Sequence, residues 1–131
     1  MCPTGLGKVK RPAGFMDYEL FRRIVDEMAG RVSTTTLHIW GEPLLHPRIV
    51  DMIAYCRARG LPSEISTNAT LLTPELGRRV LEAGLATIYL CLDGATPQTY
   101  ERVRRRADYA ETRANIEAFL KERERLGLTL P

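Results

Sequence analysis

The sequence has little of what marks a secreted or membrane-spanning protein. Its 131 residues hold three cysteines. These stand at Cys2, Cys56 and Cys91, an odd and widely spaced set that argues against a secreted disulfide framework and fits a reducing, cytoplasmic setting. No apolar run approaches the roughly 20 residues that cross a bilayer, so no membrane partner is expected. The opening residues also lack the charged-then-apolar order of a signal peptide. Neither sign of charge dominates, and a formal net charge of +3 is too small to point to nucleic acid. The main local source of that charge, "ERVRRRADY", falls where a helix and its following loop are expected and reads as a solvated basic face. Linkers and low-complexity segments are missing too. A hydrophobic share of 44% beside 27% charged residues is enough to bury a core, so one domain over residues 1–131 is expected.

What is present is a recurring unit. Asp17 can cap a helix whose apolar residues Leu20, Phe21, Ile24, Val25 and Met28 keep to one side, with Gly30 just past its end. The period then changes: "TTTLHIW" is β-branched and apolar over a strand's length and stops at Gly41. Pro47 is placed for the first turn of a second helix, carrying Ile49, Val50, Ile53 and Ala54 to Gly60. "PSEIST" is the next strand. Thr73, Pro74 and Glu75 open a third helix through Leu76, Val80 and Leu81, which stops at Gly84. "ATIYLCL" is the most apolar strand. Thr96 and Pro97 repeat the start signal, and a last long helix with Ile116, Phe119 and Leu120 runs to Gly127, followed by "LTLP" as a strand cut short. The order α, β, α, β, α, β, α predicts an α/β fold of right-handed βα units around a parallel sheet.

Polar residues follow each strand: "GEP" after the first, "TNAT" after the second and "LDGAT" after the third. In α/β folds ligands bind at the C-terminal edge of the strands, so Glu42, Ser66, Asn68 and Asp93 are expected to converge on one rim. Asn68 and Asp93 could equally cap the helices that follow them. Cys56 falls among apolar helix residues and reads as packing; His38 and His46 have no metal partner at i+4 and read as loop or cap residues.

Through "CP" at the start, "GEPLLHP", "STNATLLT", "LDGATPQTYERVR" and "NIEAF", in that order, the chain resembles the radical S-adenosylmethionine superfamily. Within it, the likeness is to the branch whose members often carry a C-terminal SPASM-type cluster domain. The resemblance covers nearly the whole chain and implies part of a (β/α)6 partial TIM barrel, cut at both ends. It also implies two cofactors, a [4Fe–4S] cluster and S-adenosylmethionine. In the family a C-x3-C-x2-C loop supplies three thiolates, soft ligands suited to iron. Cys2, followed by Pro3, looks like the third of them, and Met1 then holds the position that tends to touch the adenine. On this reading the other two cysteines lie upstream, and the chain as given is expected not to perform radical chemistry.

"GEP" resembles the family's Gly-Gly-Glu motif, which receives the ammonium of S-adenosylmethionine. Gly41, Glu42 and Pro43 match it, whereas Trp40 stands where the family has the first glycine. Ser66 and Asn68 fall where the family places contacts to the methionine or ribose part. The family's Ser-Leu-Asp-Gly here reads Cys91, Leu92, Asp93, Gly94; Asp93 carries over, and Cys91 reads as a small buried hydrophobe. Tyr100 and Arg102 also match family positions, although packing on a helix surface accounts for them. The resemblance implies reductive cleavage of S-adenosylmethionine and abstraction of a substrate hydrogen by the resulting 5′-deoxyadenosyl radical. Its implied partners are a peptide or cofactor precursor as substrate and an electron donor such as flavodoxin or ferredoxin. A rival reading is a non-catalytic α/β module that keeps an adenosyl-type pocket without the cluster.

Overall fold

The computed structural model describes Thr4, residues 7–10, Pro12 and residues 14–131. Met1 and Cys2, assigned above to the adenine and the cluster, lie outside the described residues. The elements run α1 (Tyr18–Met28), β1 (Thr35–Thr36), α2 (Ile49–Ala58), β2 (Ser63–Thr67), α3 (Pro74–Ala83), β3 (Thr87–Leu90), α4 (Pro97–Val103) and α5 (Tyr109–Arg125). The three strands form one parallel sheet in the order β1-β2-β3. Each crossover passes through helices, as the alternation of periods required. No helix among the described residues is long and apolar enough to cross a membrane.

The start signals are used as hydrogen bonds. Asp17 Oδ1 accepts from Leu20 N–H, Thr73 Oγ1 from Leu76 N–H, and Thr96 closes a reciprocal capping box with Thr99. Helices cover one face of the sheet. Ile49 and Ile53 of α2, Ile65 of β2, Val80 and Leu81 of α3 and Phe119 of α5 form the main core, and Ile88 and Leu90 of β3 pack against it. A second cluster joins Phe21 and Val25 of α1 to Met52 and Cys56 of α2, so the packing assigned to Cys56 is what the fold shows. Strand alternation then sends Glu64 and Ser66 of β2, and Tyr89 of β3, to the opposite face, which none of these helices covers. Helices on one face only, over a parallel sheet, are the arrangement of a partial βα barrel.

Five local expectations differ from the structure. The first strand shrinks to Thr35–Thr36, because after Leu37 N–H has bonded to Glu64 O the chain leaves the sheet. His38 then replaces the ladder, its Nδ1 accepting from Ser66 N–H at 3.1 Å. Pro47 lies in the turn before α2, and the first-turn proline of this region is Pro43, in a 3-10 turn over Pro43–Leu45. The last long helix is two: α4 ends at its C-cap Arg104, Arg106 takes a left-handed φ of +69 in the turn that follows, and Asp108 Oδ1 caps the next helix through Glu111 N–H. Finally, "LTLP" forms no strand; Leu128 N–H bonds back to Arg123 O. Leu20 and Ile24, expected on the buried stripe of α1, are 41% and 37% exposed, and the buried residues of α1 are Phe21 and Val25.

Candidate functional site

The loop after β1 is built around Glu42. Its backbone enters through Gly41 at φ +113, a conformation that residues with a Cβ rarely adopt. Pro43 then begins the 3-10 turn, and Glu42 Oε1 caps it by accepting from Leu44 N–H at 3.2 Å. The same carboxylate reaches the end of β2, where Oε1 accepts from Thr67 Oγ1–H at 2.7 Å and Oε2 from Asn68 N–H at 2.9 Å. A carboxylate has about four lone-pair sites. Among the described residues three are occupied, leaving one acceptor position on a group whose orientation is fixed from both sides.

Asn68 and Ser66 are placed by other contacts. Asn68 Oδ1 accepts from Thr70 N–H and Thr70 Oγ1–H, a turn closed on its own loop, whereas the helix that follows is capped by Thr73 and not by Asn68. The next residue, Ala69, is fully buried at φ +60, and Asn115 Nδ2 of α5 donates to its carbonyl at 3.2 Å. The asparagine of "NIEAF" thus holds the loop that carries Asn68. On the uncovered sheet face Ser66 Oγ lies 3.2 Å from Cys91 Sγ, and Thr36 Oγ1–H donates to Glu64 Oε1 at 2.6 Å.

Asp93 goes elsewhere. Its carboxylate pairs with the guanidinium of Arg104, just past α4. The glycine beside it, Gly94, is required by packing, since a Cβ there would stand 2.5 Å from Tyr100 N. Tyr100 is fully buried, and its hydroxyl donates to Thr112 Oγ1 across the α4–α5 junction, so it is core and not helix surface. The structure therefore joins Glu42 to Asn68 directly, links Ser66 to β1 and β3 by His38 and Cys91, and commits Asp93 to Arg104. Thr67, Asn115 and Arg104 escaped sequence reading. For Thr67 a signal existed, because strand alternation puts it opposite Ser66, at the strand end that Glu42 must cross.

A cavity of about 430 Å³ lies on the outer side of β1, within the size range of small-molecule sites. Gly41, Glu42 and Pro43 line it, with Trp40, His38, Phe15, Met16 and Leu45 among the walls; Ser66, Asn68 and Asp93 do not. His46 holds one wall in place: its Nε2–H donates to Met16 O at 3.1 Å, its Nδ1 accepts from Arg48 N–H, and its ring meets Phe15 edge-on.

The donor chemistry for the two implied cofactors differs. A carboxylate with one free acceptor site beside an open cavity suits the ammonium of S-adenosylmethionine. The described thiols do not suit a cluster: Cys56 is buried and its thiol is pushed up to about 11 by desolvation, and Cys91 Sγ lies against Ser66 Oγ and the Tyr89 carbonyl, not another thiol. Among the described residues there is also no group of three metal-ligating side chains.

Comparison with known proteins gives a consistent result. The profile of the Radical SAM superfamily matches residues 1–129. The chain is 38% identical over 82 residues to a tungsten-containing aldehyde ferredoxin oxidoreductase cofactor-modifying protein of Pyrococcus furiosus, a match covering 61% of this chain and 23% of that protein. It is 31% identical over 111 residues to an AdoMet-dependent heme synthase of Methanosarcina barkeri, covering 84% of this chain and 32% of the synthase. A mycofactocin maturase of Mycobacterium tuberculosis is 28% identical over 96 residues, covering 72% and 24%. The chain thus spans less than a third of the length of these relatives.

Proposed function

Because the chain belongs to the radical S-adenosylmethionine superfamily, whose members use a [4Fe–4S] cluster and S-adenosylmethionine, we propose that it supplies the ammonium seat for that cofactor in a radical enzyme. The observation that carries this reading is the fixed carboxylate of Glu42. It accepts from Leu44, Thr67 and Asn68 and keeps one acceptor position for a ligand N–H beside the cavity. When bound, the cluster and S-adenosylmethionine would supply radical hydrogen-abstraction chemistry, while this chain's residues would bind and orient. Gly41 and Pro43 set the path of the loop, and Ser66, Asn68 and Asp93 are proposed for the remaining contacts, with Asn68 offering an Nδ2–H that has no partner among the described residues and Asp93 requiring release from Arg104. Met1 and Cys2 are proposed for adenine and cluster. We place the enzyme in the SPASM-type branch, with a cofactor or peptide precursor as substrate and a flavodoxin or ferredoxin as electron donor. The names of the heme synthase, cofactor-modifying protein and mycofactocin maturase support that placement. On the same reading, the chain by itself binds the cofactor weakly and turns nothing over.

The test is calorimetric titration of S-adenosylmethionine into the chain and into Glu42→Gln. Loss of the charge is expected to weaken binding by about 1–3 kcal/mol, the range for a hydrogen bond to a charged group. The amide of Gln would set an N–H against Asn68 N–H, so circular dichroism must first show the variant folded. Equal affinity in a folded variant removes Glu42 from the site.

A further inference from the structure

The cavity beside β1 combines exposed apolar walls with a single kind of charge. Phe15, Met16, Trp40 and Leu45 line it while remaining 62%, 48%, 60% and 58% exposed. Among its lining residues Glu42 is an acid and none is a lysine or arginine. His46 has both ring nitrogens engaged as one donor and one acceptor, which describes a neutral imidazole. A site with one carboxylate, aromatic walls and no lysine or arginine favours cations over anions.

We infer that Trp40 is a specificity-determining residue of this cavity: its indole forms an aromatic wall that, together with Glu42, selects a ligand whose positive charge sits on an apolar body, a sulfonium in preference to the matching neutral thioether. The indole face is the strongest of the aromatic side chains at attracting such a charge, and Trp40 is two residues from Glu42 on the same loop. A glycine at this position would supply no such face. The inference rests on Glu42 as the ammonium seat and adds to it the group that reads the charge on sulfur. The hydrogen bond to Glu42 is made by the ammonium, which is common to the sulfonium and the thioether, so the contact with the charge on sulfur is assigned to Trp40.

Trp40 is the only tryptophan of the chain, so its fluorescence reports on the proposal directly. The chain is titrated with S-adenosylmethionine and separately with S-adenosylhomocysteine, reading the emission of Trp40, and both titrations are repeated by calorimetry with Trp40→Phe and Trp40→Leu. Saturable change in emission is expected, with the sulfonium binding about two- to fivefold more tightly than the thioether, the range for an exposed cation–π contact. Trp40→Leu should abolish that preference and Trp40→Phe should keep part of it. Saturable calorimetric binding that leaves Trp40 emission unchanged, or a preference that survives in Trp40→Leu, overturns the inference. Loss of binding in Glu42→Gln under those same conditions would leave the ammonium seat standing. No saturable binding of either compound sinks both.

Discussion

Glu42 Oε2 accepts from Asn68 N–H at 2.9 Å across 26 residues of sequence. Two loops that follow different strands are thereby fastened at one point, and the fastening uses a backbone donor that every residue but proline possesses. The side chain that secures the other carboxylate oxygen is Thr67, fully buried and also accepting from Ala69 N–H at 3.0 Å.

Thr67→Val tests that fastening. Valine keeps the shape, removes the hydroxyl, and leaves both Glu42 Oε1 and Ala69 N–H short of a partner. A loss of about 1–3 kcal/mol is expected in urea unfolding, the scale for orphaned buried polar groups. The amide resonances of Asn68 and Ala69 should shift together. A variant as stable as the parent, with both resonances in place, would show that the hydroxyl does not hold the carboxylate.

Gly94→Ala probes the third loop. A Cβ would meet Tyr100 N at 2.5 Å and Tyr100 Cα at 2.7 Å, backbone atoms of α4 that cannot turn aside. Relief requires moving α4 and with it the buried Tyr100–Thr112 hydrogen bond. Destabilisation of about 1–3 kcal/mol, the usual range for overpacking, is expected by chemical denaturation. A neutral result would mean that the "LDG" glycine answers to something other than this contact.

How far these relationships could be read in advance depends on their range. Asp17, Thr73 and Thr96 act on backbone amides three residues away, and such caps are written locally. The alternation of periods likewise gave the parallel sheet. The break between α4 and α5 was harder, since Asp108 signals a cap only once the chain has turned at Arg106, and nothing in "RRRAD" requires that turn. At the site, Glu42 was legible as a strand-end carboxylate. Its partners were not, because Thr67 and Asn68 are neighbours only through the sheet. The pairing of Asp93 with Arg104 was hidden for a similar reason: the arginine lies in a basic run that reads as solvated surface.

The described cysteines should differ sharply in reactivity. Cys56 is fully buried between α1 and α2 with its thiol pushed up to about 11, whereas Cys91 is partly exposed. At mildly alkaline pH a thiol reagent is expected to modify Cys91 and to leave Cys56 untouched until the protein unfolds. The sign of the pH dependence follows. Folding favours the neutral thiol of Cys56, so its contribution is complete below the usual value near 9 and is lost as pH rises towards about 11. Cys56→Ala should flatten that decline in urea titrations; a decline of the same size in the variant would assign it to other groups.

The junction of β1 and β2 offers the most local test of all. β1 pairs with β2 through only Thr35 and Thr36, while β2 is paired on both sides. Beyond Leu37 the role of a strand acceptor passes to an imidazole, His38 Nδ1 receiving Ser66 N–H. Since the amide must donate, the ring carries its proton on Nε2. In His38→Ala, Ser66 N–H loses its acceptor at the edge of β2 from which β1 has already departed. Its hydrogen exchange should accelerate by about tenfold, matching the upper end of a net hydrogen bond's worth. Ile65 and Ile88, held in the helix-covered core, should keep their protection. If Ser66 exchanges no faster in the variant, the imidazole is not its acceptor, and the early departure of β1 from the sheet needs another explanation. If Ile65 and Ile88 lose protection as well, His38 supports the whole sheet and not this one bond, and the variant reads as global loosening.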